Sequence, residues 1–125
     1  MEDKEKQLIK LRFGLCIKKL LDLNKSTFDQ NEKQGIEGPN LIKSYGKLAT
    51  LSGVPKASII RIVSGKINMS STTLSAIIET LDLSFSEFGK VYDNILPKEL
   101  EEYKKVMTES RKSTVSKKNK NRKRK

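Results

Sequence analysis

The segment 53–65, GVPKASIIRIVSG, admits few conformations. Gly53 offers the left-handed backbone that a tight helix-to-helix turn requires. Pro55 is suited to open the next helix, where its missing amide hydrogen is not needed, and Gly65 is suited to stop it. A helix is therefore predicted over residues 55–64. Taking Lys56 as zero and about 100° per residue, Ile60 falls at roughly 40°, Ser64 at roughly 80°, Ala57 at roughly 100° and Arg61 at roughly 140°. Ser58, Ile59, Ile62 and Val63 occupy the other arc, between roughly 200° and 340°. The helix is expected to bury Ile59 and Ile62 against its neighbours while Lys56 and Arg61 project outward. The small side chains of Ala57 and Ser64 let that outer face approach another surface closely.

The flanking sequence is helical in period as well. Within EKQLIKLRFGLCIKKLLDL, residues 5–23, Ile9, Phe13, Cys16, Ile17 and Leu20 recur at helical spacing, predicting a first helix. Residues 24–40, NKSTFDQNEKQGIEGPN, are rich in Asn, Gly, Gln and Ser and read as a long connection. Ser44 is placed to cap a second helix to Leu51, with Leu48 and Ala49 inward. A fourth helix over 71–82 carries Leu74, Ile77, Ile78 and Leu81 on one stripe. Ser84 and Glu87 have capping-box spacing and Leu83 and Phe88 that of a hydrophobic staple, so a fifth helix starts there, with Phe88, Val91, Tyr92 and Ile95 inward. Pro97 opens a further helix with Leu100, Tyr103 and Met107 on a thin stripe, which is expected to dock on the domain, pair with a second subunit, or fray. No strand pattern is visible.

At 125 residues the chain has room for one small domain and an appendage. It carries no apolar run near the length of a bilayer span and no secretory signal at MEDKEKQ, which predicts a cytoplasmic protein with no membrane contact. Cys16, the single cysteine, forms no internal disulfide and reads as a small core residue. The net charge of +11 belongs mostly to residues 111–125, with nine Lys or Arg and no acid; residues 1–110 hold 17 basic against 15 acidic side chains. Residues 111–125 are expected to be disordered. More informative is the acid-free stretch between Glu37 and Glu79, which contains Lys43, Lys47, Lys56, Arg61 and Lys66. A folded surface of one sign suits an anionic partner such as nucleic acid.

Enzyme chemistry finds little to work with. There is no histidine and one cysteine, so the usual general-base, triad and zinc arrangements cannot be assembled. GPNLIKS from Gly38 looks superficially like a phosphate loop, but Ile42 stands where that loop needs Gly before Lys, and no core strand precedes it. The expectation is a non-enzyme with no cofactor and no metal.

Residues 44–88, SYGKLATLSGVPKASIIRIVSGKINMSSTTLSAIIETLDLSFSEF, resemble the Cro and lambda-repressor-like helix-turn-helix family, also called the XRE family. The family's pattern runs through Leu48-Ala49, Gly53-Val54, Ile59-Ile60-Arg61-Ile62, Ser64-Gly65-Lys66, Thr73-Leu74 and Phe85 to Phe88, and FGLCIKKLLDL resembles its first helix. The resemblance implies an all-α, five-helix lambda-repressor-like helix-turn-helix domain. It would span residues 1–95, with an insertion at 24–40 and an extension comprising a helix at 96–110 and the basic tail. Two departures stand out. Tyr45 occupies the place where the family usually has Gln, and the family joins helices one and two by only a few residues.

By matching positions, the resemblance implies a sequence-specific DNA-binding transcriptional regulator, expected to be a bacterial repressor, with helix 55–64 in the major groove. Lys56, Ala57, Ile60 and Arg61 are then the candidates for base contact. Arg61 can grip the two acceptors of guanine, and Ile60 can touch a thymine methyl. Ser44, Tyr45, Ser64, Lys66 and Asn68 are candidates for the phosphate backbone. For Arg61 the structural alternative is an ion pair with Glu79 or Asp82; for Lys66 and Asn68 it is solvation. Double-stranded DNA is the expected partner, and a homodimer is expected from the family. An antitoxin-like protein that also binds a partner protein through 24–40 or 97–110 is the alternative. For the tail, the readings are a nonspecific arm on phosphates or a solubilising end.

Overall fold

A computed structural model describes residues 2–36 and 41–109. These hold six helices and no strand: α1 Asp3–Lys33, α2 Tyr45–Ser52, α3 Lys56–Val63, α4 Ser71–Thr80, α5 Phe85–Asp93 and α6 at 97–109. The chain divides between Ile95 and Leu96 into two compact units, so α1 to α5 belong to one and α6 to the other. The basic tail 111–125 and the end of the 24–40 segment lie outside the described residues.

The core of the first unit is aliphatic and built around α1. Leu11, Leu15, Cys16, Ile17, Leu20 and Leu21 are buried along that helix, and Leu48, Ile59, Ile62, Val63, Ile77, Ile78 and Phe88 are buried on the four that follow. α1 packs on α3 and α5, α2 on α3 and α4, and α4 on α5. One glycine permits the crossing of α1 and α3. A Cβ on Gly14 would lie 2.5 Å from the Val63 carbonyl oxygen and 2.6 Å from that of Ile62, so only hydrogen lets the two backbones approach this closely. Toward α5 the contact is aromatic: Phe13 stacks on Phe88 with centroids 6.2 Å apart and tilts against Tyr92 at 4.9 Å.

Serine caps explain where three helices begin. Ser44, Ser70 and Ser84 each accept from the amide three residues on, Lys47, Thr73 and Glu87, satisfying a donor that has no intrahelical acceptor. At Ser84 the box is closed, because the Glu87 carboxylate accepts in return from the Ser84 amide at 3.0 Å. The backbone hydrogen bond from Ser84 and the one from its hydroxyl hold that carboxyl below the usual glutamate range. Asp82, at φ 59, ends α4 with a left-handed residue, a role that Asp tolerates better than most side chains; the Leu83 amide then closes on the Ile78 carbonyl at 3.1 Å.

Two expectations need correction. The stretch 24–40, read as a long connection, continues α1 through Lys33, and that helix stops where Gly35 takes φ 67 and the Ile36 amide closes on Asn31 at 2.9 Å. The extension was hidden because the half-buried positions that continue the stripe, 24, 27, 28 and 31, are Asn, Thr, Phe and Asn, and an apolar pattern registers only the third. The other correction is to helix boundaries. Pro55 is the N-cap of α3 rather than its first residue, its carbonyl accepting from Ile59, and α4 ends at Thr80 rather than 82.

Candidate nucleic-acid interface

The α2–turn–α3 unit forms as its local chemistry requires. Gly53 caps α2 at φ 78, and its amide donates to the Ala49 carbonyl at 3.0 Å. Val54 is fixed by an amide hydrogen bond to the Ser52 hydroxyl, 3.2 Å. At the far end of α3, Gly65 takes φ 74 and the Lys66 amide reaches back to the Arg61 carbonyl at 2.9 Å. That left-handed turn is pinned on α1. The Gly65 carbonyl accepts from the Gln7 side chain at 3.0 Å, and a Cβ on Gly65 would stand 2.7 Å from a Leu11 methyl.

Burial then separates the two faces of α3. Ile59 is 0% exposed, Ile62 3% and Val63 6%, whereas Ile60 on the other side is 47% exposed. Lys56, Ala57 and Arg61 are exposed with Ile60. Each buried aliphatic contributes about 1.5–3 kcal/mol, so the orientation of this eight-residue helix is set by its apolar side. Its cations are carried outward as a consequence. Among the described residues Arg61 forms no ion pair with Glu79 or Asp82.

The four base-contact candidates, Lys56, Ala57, Ile60 and Arg61, thus share one exposed surface. The phosphate candidates are more varied. Ser44, Lys66 and Asn68 are exposed at the ends of α2 and α3 or in the loop after α3. Ser64 is half-buried, and its hydroxyl faces back to its own helix, donating to the Ile60 carbonyl at 2.8 Å. Tyr45 is half-buried as well. Burial pushes its phenol above the ordinary tyrosine range while the Lys18 ammonium pulls it back, so the hydroxyl keeps its proton at neutral pH and can donate.

Sequence reasoning missed the contribution of α1 to this surface. Leu21, Asp22 and Lys25 from α1 line a cleft with Lys43, Ser44, Tyr45, Gly46 and Lys56. The approach to α2 is tied to the extended helix at two points: the Asn24 side-chain amide donates to the Ile42 carbonyl at 2.8 Å, and the Lys43 ammonium sits 3.3 Å from the centroid of the Phe28 ring, a favourable cation–π contact. A continuing i, i+3, i+4, i+7 spacing of Asn24, Thr27, Phe28 and Asn31 was the signal available.

Among the described residues no cluster of His, Cys, Asp or Glu is arranged to hold a metal ion, and no helix is long and apolar enough to cross a membrane. Among curated proteins and among solved structures nothing matches. The Helix-turn-helix family model matches residues 40–88, which takes in α2 through the start of α5 and both faces of α3. The family is one of DNA-binding regulatory domains rather than enzymes. Its segment here is all-helical and fits the lambda-repressor-like arrangement. Over residues 40–88, therefore, the chain is similar to the XRE-like helix-turn-helix family, whose members are DNA-binding regulators.

Proposed function

We propose that this chain is a cytoplasmic transcription regulator that acts as a repressor, inserting α3 into the major groove of its operator and reading bases with Lys56, Ala57, Ile60 and Arg61. The observation that carries the proposal is the division of α3: three aliphatics locked in the core, two unopposed cations and two small or apolar side chains on the exposed arc. Arg61 offers a planar fork to the two acceptors of guanine, a pairing that discriminates by about 1–3 kcal/mol. Ile60 offers a methyl-bearing surface to thymine, and Ala57 leaves room for the groove wall. Ser44, Tyr45, Lys66 and Asn68 hold the backbone and set the register. Repression is the simplest output, since occupancy of a promoter excludes its other ligands without a second activity.

Two copies on one operator would place two α3 helices about 34–36 Å apart, one turn of duplex, and the site would then be a palindrome. Selection of bound sequences from a pool of randomised duplexes tests both parts. The full chain should enrich a short motif containing guanine, repeated with inverted symmetry if two copies bind. Recovery of unenriched sequence, at an affinity no different from that for random duplex, would refute sequence-specific binding.

A further inference from the structure

The basic cleft beside α2 is built in part by residues outside the matched helix-turn-helix segment. Its cations come from three places: Lys25 on the C-terminal half of α1, Lys43 on the approach to α2, and Lys56 at the first position of α3. Asp22 is the one acid among its lining residues, and its carboxylate is met by Lys18 at 2.7 Å. Three lysines therefore border an open space of about 430 Å³, the Lys43 ammonium resting on the Phe28 ring, and no carboxylate of the lining is left without a cation. Like charges gathered at one cleft repel, and the arrangement is relieved when an anion enters.

The helix that carries Lys25 is tied to the approach to α2. The hydrogen bond from Asn24 to Ile42 and the stacking of Lys43 over Phe28 hold the extended helix against the residues that lead into α2. Lys56 belongs to this cleft and also to the exposed face of α3. A strand whose bases lie against α3 thus has its sugar-phosphate chain carried toward the same cleft. The lysines are exposed and the space is open, so a small free anion would gain little there. A polyanion already held by α3 gains the contact without a separate association cost.

We propose that this cleft seats a backbone phosphate of the bound duplex and that Lys25, supplied by the extension of α1, is a DNA contact beyond the helix-turn-helix segment. The proposal rests on the DNA-binding reading above. The test uses the full chain as wild type, Lys25→Gln, Lys25→Arg and, as a control away from the cleft, Lys90→Gln. Affinity for the selected duplex is measured by fluorescence anisotropy between 50 and 200 mM salt, as about one counterion is released per phosphate contact. Lys25→Gln should bind several-fold more weakly at the low end and lose about 0.9 from the slope of log affinity against log salt. Base preference should be unchanged, Lys25→Arg should restore the slope, and Lys90→Gln should match wild type.

An unchanged slope for Lys25→Gln, or an equal loss for Lys90→Gln, overturns the assignment of Lys25. Titration of wild type with inorganic phosphate alone covers the other source of the same chemistry. Saturable shifts of the Ser44 to Gly46 amide resonances at millimolar phosphate, with the DNA slope of Lys25→Gln unchanged, would make the cleft a small-anion site and also overturn it. Failure of the wild type itself to prefer any duplex is a different result, which sinks the DNA-binding reading.

Discussion

α3 and the stretch of α1 from Asn24 to Lys33 are both short helical pieces that present lysine or arginine to solvent, yet they are held in place by different physics. α3 is anchored by Ile59, Ile62 and Val63, and the backbone of α1 comes so close at Gly14 that no other residue fits without movement. The α1 extension has a half-buried stripe of Asn24, Thr27, Phe28 and Asn31, and its ties are one hydrogen bond and one cation–π contact. Apolar burial is non-directional, while polar contacts near a surface are worth less and depend on geometry. α3 is thus set rigidly, and the element with room to adjust lies beside it.

Substitutions should reproduce that ranking. Ile59→Ala leaves a hole at a fully buried site and should cost roughly 2–5 kcal/mol, seen as a fall in thermal midpoint of about 4–8 °C for each kcal/mol. Gly14→Ala puts a methyl group against two backbone carbonyls and should cost about 1–3 kcal/mol; because α3 must shift to admit it, affinity for the selected duplex should fall along with stability. Asn24→Ala removes the donor to the Ile42 carbonyl and should cost about 0.5–1.5 kcal/mol, with amide exchange rising in the extension and not in α3. A loss at Asn24 as large as that at Ile59 would break the comparison.

The smallest effect is a pH dependence at the α5 cap. Glu87 is held below the ordinary glutamate range by its hydrogen bonds with Ser84. Its contribution is therefore present above the unfolded value and is lost as pH falls through the depressed folded one. Thermal melts should show wild type more stable than Glu87→Ala near neutral pH, the gap closing in acid. A gap that persists in acid, after the Glu87 carboxylate has been protonated, would show that the ionised form is not what the cap uses.

How much of this was legible in the sequence depended on whether burial and hydrophobicity coincided. In α3 they do: Ile59, Ile62 and Val63 are both the apolar arc and the buried one, so the wheel oriented the helix and grouped Lys56, Ala57, Ile60 and Arg61 together. Capping at Ser44 and Ser84 was equally readable, since an oxygen three residues before a helical amide has one obvious use. In the α1 extension the two diverge. Asn24 and Asn31 are poor helix formers that are half-buried, Asn24 with its amide on the Ile42 carbonyl, and they were indistinguishable from loop residues. Gly14 escaped notice for a related reason: a glycine mid-helix is informative only once the partner backbone that requires it is known. The cleft joining Lys25 to Lys43 and Lys56 brings together residues distant in sequence, and no local pattern announces it.

The central claim is that the outward face of α3 reads bases, and the base preference of Arg61→Ala tests it most directly. Arg61 is exposed and outside the core, so the variant should fold with stability within about 0.5 kcal/mol of wild type. In parallel selections from one randomised duplex pool, wild type should enrich a motif with a guanine that Arg61→Ala no longer prefers, a loss of about 1–3 kcal/mol at that position. Binding to nonspecific duplex should persist at nearly the same strength. Enrichment of the same motif with the same guanine preference by both proteins would contradict the claim.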